Sequence, residues 1–229
     1  MRRRRDLKSR LVRTFLFGAV QLLLFAVITR ADEGGFSDDF SRLNGDFWDV
    51  QDHVLGRGRL DPSNVGVEDG DFVITIPART LNGGEVATKG LYGYGSYSVR
   101  MKVPRAPGSI TGFFLYKSPD YQSEIDIEVY NDHSRRVLFT TYADGSRTNT
   151  REVRLPFDPT RGFHDYSFEY SPTSVTFCVD GRAMESFDAG LPRTTMHLMV
   201  NTWFPAWLKG KEPRHDANLH VDYVSYVPR

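Results

Sequence analysis

Short segments of alternating apolar and polar residues, or of clustered β-branched and aromatic residues, recur along this chain. They fall at 72–76, 97–103, 110–116, 123–130, 137–142, 166–170, 175–179, 197–201 and 219–226. Alternation at period two sends successive side chains to opposite faces, so each segment is predicted to be a strand with one buried face. Asp-Gly pairs at 69–70, 144–145 and 180–181 mark hairpin turns, because both residues tolerate the positive φ that a tight turn demands. No apolar pattern of helical spacing exceeds two turns, and no internal repeat or low-complexity tract is present. Many short strands imply an all-β domain, a sandwich or jelly roll of two antiparallel sheets. Residues 204–217 carry no such pattern and read as a long loop, a length that is often functional.

One segment departs from what folding alone requires. Glu124-Ile125-Asp126-Ile127-Glu128 places both isoleucines on one strand face and three carboxylates on the other. Like charges in a row repel, and packing asks for none of them. Glycoside hydrolysis does ask for a pair, one carboxyl to protonate the leaving oxygen and one to attack, with the aspartate between tuning both. Strand residues i and i+4 stand on the order of 13 Å apart at Cα. Side chains leaning together over Asp126 would close that to roughly 5–5.5 Å, the spacing of a retaining enzyme. The competing reading is an acidic, solvated sheet face.

A groove for sugars combines aromatic platforms with a few convergent polar groups. Trp203, Phe204 and Trp207 cluster in sequence, and Tyr92, Tyr94 and Tyr142 are spaced to reach the same face, with core packing the alternative for each ring. Asn201 shares a strand face with Trp203. The histidines at 53, 133, 164, 197, 215 and 220 show neither HxH nor HxxxH spacing, so a catalytic metal is unsupported. His164 and His197 lie in strand-like runs and read as structural. Gly83-Gly84 and Tyr92-Gly93-Tyr94-Gly95 precede no helix, which argues against phosphate loops.

With these motifs in order, the chain resembles glycoside hydrolase family 16 and, within it, the bacterial lichenases (endo-β-1,3-1,4-glucanases). Glu124 to Glu128 match every position of the family's E-[I/L]-D-[I/F]-E pattern. The segments Tyr92 to Gly95 with Tyr97 to Lys102, Gly112 to Tyr116, Tyr142 to Gly145, Phe177 to Gly181 and Asn201 to Trp203 follow in the family's order. The resemblance covers residues 36–229 and implies a jelly roll with a concave substrate cleft. It implies Glu124 as nucleophile, Glu128 as acid/base and Asp126 as their support. It also implies sugar contacts from Glu85, Tyr142, Asn201 and Trp203, with Tyr94 and Trp207 as further candidates. No cofactor is required, but a structural Ca²⁺ held by Asp222 and a Gly70 carbonyl is implied. The chain departs from the lichenase pattern in having Gln122-Ser123 where Trp-Asp is usual and Ala87 where an arginine is common. Its one cysteine, Cys178, forms no internal disulfide and reads as a small buried core residue.

Residues 1–31 read as a cleavable leader. A basic stretch (Arg2 to Arg5, Lys8, Arg10, Arg13) precedes an apolar run at 14–28, then Thr29-Arg30-Ala31 with small residues at −3 and −1. The run is shorter than the about 20 residues of a comfortable membrane span. Removing it takes eight of the 29 Lys and Arg and one of the 29 Asp and Glu, leaving a formal charge of −7. An acidic 32–229 domain without a basic patch suits neither nucleic acid nor anionic membranes. The expected partner is a polysaccharide, met by a monomer outside the cytoplasm, secreted or periplasmic. The regular Glu-Ile-Asp-Ile-Glu strand, by resemblance, favours β-1,3-1,4-glucan. A bacterial exopolysaccharide of succinoglycan type, a transglycosylase reaction and a non-catalytic carbohydrate-binding jelly roll remain the alternatives.

Overall fold

The structure, a computed structural model, describes residues 34–229, so the leader expected at 1–31 lies outside the described residues. The described strands are β1 (Phe36–Asp38), β2 (Trp48–Val50), β3 (His53–Leu55), β4 (Gly58–Leu60), β5 (Val65–Glu68), β6 (Asp71–Ile76), β7 (Gly84–Thr88), β8 (Gly95–Lys102) and β9 (Ile110–Lys117). They continue with β10 (Ser123–Tyr130), β11 (Arg136–Ala143), β12 (Ser146–Arg154), β13 (His164–Tyr170), β14 (Val175–Val179), β15 (Arg182–Phe187), β16 (His197–Trp203) and β17 (Ala217–Pro228). One antiparallel sheet runs β12-β11-β10-β9-β16-β7-β2 and the other β15-β14-β13-β8-β17-β6-β5, with β1 added along β17. The strands β3 and β4 form a separate hairpin. This is the all-β jelly-roll sandwich that the alternation implies.

The core lies between the two sheets. Ile125, Ile127 and Val129 of β10, Val137 and Phe139 of β11, and Phe113 and Leu115 of β9 face Tyr97, Val99 and Met101 of β8 and Tyr166, Phe168 and Tyr170 of β13. Phe139 stacks on Phe177 at 4.7 Å between centroids, joining the sheets through a fully buried aromatic pair. All three Asp-Gly pairs turn hairpins, at φ 53 and 90 for Asp69 and Gly70, 53 and 80 for Asp144 and Gly145, and 48 and 72 for Asp180 and Gly181.

Two strands correct the sequence reading. In β17 the register slips between Val221 and Tyr223, leaving Asp222 as a bulged residue. That extra residue is why Leu219 and Val221 can both face the core with Val224 and Tyr226 rather than rotating out. In β14 it is Val175, Phe177 and Val179 that point inward, so Cys178 sits half-buried on the outer face instead of in the core. Its thiol is pushed up by partial burial and by Glu169.

Phe139→Ala, which empties one half of the buried stack, is expected to lower unfolding free energy by about 3–5 kcal/mol. Cys178→Ser on the outer face is expected to cost less than about 1 kcal/mol. Urea denaturation of the two variants checks the contrast.

Candidate active site

The face of β10 turned away from the core carries Glu124, Asp126, Glu128 and Tyr130, because its isoleucines and valine are drawn inward. Strand register then fixes what stands beside each carboxylate. A first row across the sheet reads Glu85 (β7), Asn201 (β16), Gly112 (β9), Glu128 (β10) and Leu138 (β11). A second reads Ala87, Met199, Phe114, Asp126 and Thr140, and a third His197, Tyr116, Glu124 and Tyr142. A chain crossing the strands would lie along these rows. Although this face is opposite the core, Glu85 is only 2% and Asp126 only 4% exposed. Loops wall it in, and a solvated acidic face is excluded.

The walls come from distant segments. Tyr121 stacks 5.3 Å from Tyr142, and Tyr116 donates its hydroxyl to Asp120 at 2.6 Å. On another side the β3–β4 hairpin leans on Trp203: a Cβ at Gly56 would lie 2.8 Å from that ring. Arg57 at the hairpin tip donates to the carbonyls of Gly210 (2.9 Å) and Gly108 (3.0 Å), tying the hairpin to the 204–216 loop. Trp207 on that loop is 54% exposed and meets Tyr130 edge-on at 6.1 Å.

The floor is equally determined. Asn201 accepts from the Gly112 amide at 3.2 Å and donates through Nδ2 to Glu85 Oε2 at 2.8 Å. A side chain at Gly112 would put a Cβ 2.7 Å from Asn201 Oδ1, so only glycine leaves the space between Asn201 and Glu128 open.

Burial dominates the electrostatics. It pushes Glu85 up to about 7, against the Asn201 hydrogen bond and with help from Glu124. Burial likewise raises Glu124 to about 7, opposed by a hydrogen bond from Asp126 and reinforced by Asp120. Glu128 rises to about 7 through burial and the charge of Glu124. Asp126 lies between both glutamates and is held well above the ordinary range by burial, by their charges and by its bond to Glu124. Burial and the two flanking carboxylates thus drive Asp126 toward its neutral form, and its Oδ1 has no hydrogen-bond partner. Such a set holds one ionised and one protonated carboxyl on either side of a third, an acid and a nucleophile or base over one floor.

Most sequence-predicted residues converge here: Glu124, Asp126, Glu128, Glu85, Asn201 and Tyr142 on the floor, Trp203 and Trp207 at its margins. Tyr94 does not. Its ring packs 4.7 Å from Tyr170 against the core between the sheets, and Tyr92 lies against Phe36 and Tyr226. Asp222 and Gly70 do not form a calcium site either. Asp222 pairs with Arg100 at 3.0 Å, and Gly70 serves the β5–β6 turn at φ 90. A guanidinium already occupies that carboxylate, so the residues as arranged do not fit the ion. Sequence reasoning missed His53, Gly112, Phe114, Tyr116, Tyr121, Tyr130 and Met199; the glycine inside a strand pattern was the one usable signal. A cavity of about 520 Å³ between β12 and the β14–β15 hairpin lies on the flank, away from the carboxylates.

A family model described as "Glycosyl hydrolases family 16" matches residues 58–225. A β-glucanase of Acetivibrio thermocellus is 30% identical over 204 residues, 82% of this chain and 61% of that protein, so the chain spans about three-fifths of that relative. The solved Bacillus licheniformis β-glucanase superimposes with a TM-score of 0.80 at 27% identity, covering 87% of this chain and 100% of that one. A prokaryotic β-1,3-1,4-glucanase (lichenase) from a mouse hindgut metagenome gives a TM-score of 0.78 at 25% identity, covering 85% and 99%.

The raised acids carry a stability consequence. Glu128 holds its proton to about 7 when folded but only to 4.5 ordinarily, so stability falls as pH rises between those values. Glu128→Gln removes that loss. The variant is expected to be more stable than wild type at pH 8 by on the order of 1–3 kcal/mol, with the gap closing by about pH 4.5. Urea titrations at the two pH values check it; equal stability at pH 8 would show that the carboxyls are not desolvated.

Proposed function

The chain belongs to glycosyl hydrolases family 16, and on that premise we propose that it is an exported endo-β-glucanase cleaving β-1,3-1,4-glucan with retention. The observation that carries the roles is the asymmetry around Asp126. Burial raises both glutamates, but at Glu124 a hydrogen bond from Asp126 opposes it, favouring the ionised form, whereas at Glu128 the charge of Glu124 adds to it, favouring the protonated form. Glu124 is then the nucleophile and Glu128 the acid. Glu128 protonates the glycosidic oxygen as Glu124 attacks the anomeric carbon and the leaving sugar departs. Once Glu124 is esterified its charge is gone. Glu128, freed of that repulsion, becomes a better base for the incoming water, whose attack releases the sugar and regenerates Glu124. Glu85, Asn201 and Tyr142 offer hydrogen bonds to hydroxyls on either side of the cleaved bond.

The β-glucanase and lichenase names of the similar proteins support a glucan, and the leader-like residues 1–31 support export. A succinoglycan-type exopolysaccharide is the second reading. It is favoured by Gln122-Ser123 and by Ala87, which with Phe114 and Met199 makes an apolar floor patch where a charged contact is expected for lichenases.

Reducing-sugar release from lichenan, laminarin and a succinoglycan-type polymer tests these readings side by side. Release from lichenan is expected, with Glu124→Gln and Glu128→Gln each losing roughly 10²–10⁴-fold while remaining folded. Full activity in either variant would overturn the roles, and release from the exopolysaccharide alone would change the substrate. The pH profile is expected to be a bell near neutrality. Activity falls on the acid side as Glu124 takes a proton and on the alkaline side as Glu128 loses one, with apparent pKa values belonging to the pair.

A further inference from the structure

Between Asp126 and β2 the cleft floor changes character. Its second row runs from Asp49 on β2 through Ala87, Met199 and Phe114 to Asp126. Ala87, Met199 and Phe114 pack together as a hydrophobic cluster of their own, separate from the core between the sheets, with Tyr116 at its side. They keep 7%, 8% and 8% of their surface open. The first row lies two residues away along the strands, a spacing of roughly 7 Å. On the same three strands it is polar, presenting Glu85, Asn201 and the bare backbone of Gly112. A strip that offers no hydrogen bond therefore runs parallel to one that offers several.

A pyranose ring laid over these strands meets both rows. Hydroxyls over Glu85 and Asn201 find partners. A hydroxyl turned to the second row finds a thioether, a methyl group and a phenyl ring, none of which replaces the hydrogen bonds it gives up in water. The polar neighbours on the far side of the strip are engaged elsewhere. Tyr116 gives its proton to Asp120 at 2.6 Å, and His197 Nδ1 meets the Thr88 carbonyl at 2.7 Å. Ala87 ends at Cβ, whereas Asp49 and Met199 beside it are longer, so the strip steps down there and leaves room for a short apolar group. Charge limits what that group can be. Asp49, held by the Gln51 amide at 2.9 Å, stands at one end, Glu85 beside it and the acids of β10 at the other end. An added anion would meet carboxyls, and among the described residues no lysine or arginine is paired with them to receive it.

We propose that the Ala87–Met199–Phe114 strip is a specificity-determining subsite that selects a sugar with no free hydroxyl over it, that hydroxyl being either absent or capped by a small neutral acyl group such as acetyl. The polar row holds the same ring by its other hydroxyls, while the strip gains from covering a methyl or methylene group. The preferred glycan is one in which this sugar is acylated or deoxygenated. Unmodified β-1,3-1,4-glucan is a poorer ligand of the same cleft. The inference rests on the glycanase reading and refines its substrate.

The test measures binding to Glu124→Gln protein, which avoids turnover, by titration calorimetry. The probes are a β-1,3-1,4-glucan tetrasaccharide and its monodeoxy, mono-O-acetyl and mono-O-succinyl forms at each ring. If only the succinoglycan-type polymer is cleaved, its limit oligosaccharide takes the tetrasaccharide's place. At one position the deoxy or the acetyl form is expected to bind about tenfold more tightly than the unmodified sugar, and the succinyl form no better than it. A gain from the deoxy form alone identifies a missing hydroxyl, and a larger gain from the acetyl form identifies an ester. Met199→Gln, close to isosteric, and Ala87→Ser each put a polar partner into the strip, with circular dichroism to verify folding. Either is expected to bring the ratio of modified to unmodified binding to within about twofold. Weaker binding of the modified sugars at every position would overturn the proposal, and so would a gain that neither substitution alters. Protein that binds none of the sugars, and whose wild type releases nothing from any polymer, would instead overturn the glycanase reading itself.

Discussion

Burying carboxylates without cations is the constraint on which this molecule turns. Glu85, Glu124, Asp126 and Glu128 occupy a sheet face where solvation is poor, and no lysine or arginine pairs with any of them among the described residues. A stable fold has to carry that penalty, and the deep two-sheet core provides the reserve. Ile125, Ile127 and Val129 of β10 itself are held in the core between the sheets, which fixes the opposite face on which its acids stand. The same strand is therefore anchored in the core through one face and electrostatically unfavourable on the other. Strain of this kind at a functional surface is what selection for activity rather than stability leaves behind.

Much of this was legible in the chain. The period-two alternation of 123–130 specified both the strand and the face of its acids, and the three Asp-Gly pairs each gave a hairpin where expected. What failed did so for identifiable reasons. Tyr94 and Tyr92 are aromatic residues near Gly, and their composition does not say which side of a loop they leave; in the fold they close the sandwich. Cys178 was misjudged although its neighbours alternate, because the inward phase belongs to Phe177. The bulge at Asp222 hides from periodicity because it shifts the phase midway through a strand.

The rows of the floor were not legible at all. Asn201, Gly112 and Glu128 lie 89 and 16 positions apart in sequence and become neighbours only through non-local pairing of β16, β9 and β10. His53 was dismissed for want of metal-binding spacing, a rule that is silent about a lone imidazole set against a buried acid across a sheet edge. Arg57 shows the same limit. Its three contacts reach 51 to 153 residues away, and no local signal announces them.

The central strand and its margins carry different duties. The groups that would make and break bonds sit on β10, whereas those that would recognise a polymer are spread over β3, β7, β16 and the 204–216 loop, joined to β10 only by register. Trp207 and the β3–β4 hairpin lie off that strand, so a change in what they offer a polymer leaves the alternation at 124–128 untouched. The scaffold thus separates two requirements: the groups at the margins can differ in shape and polarity while the central strand keeps its register.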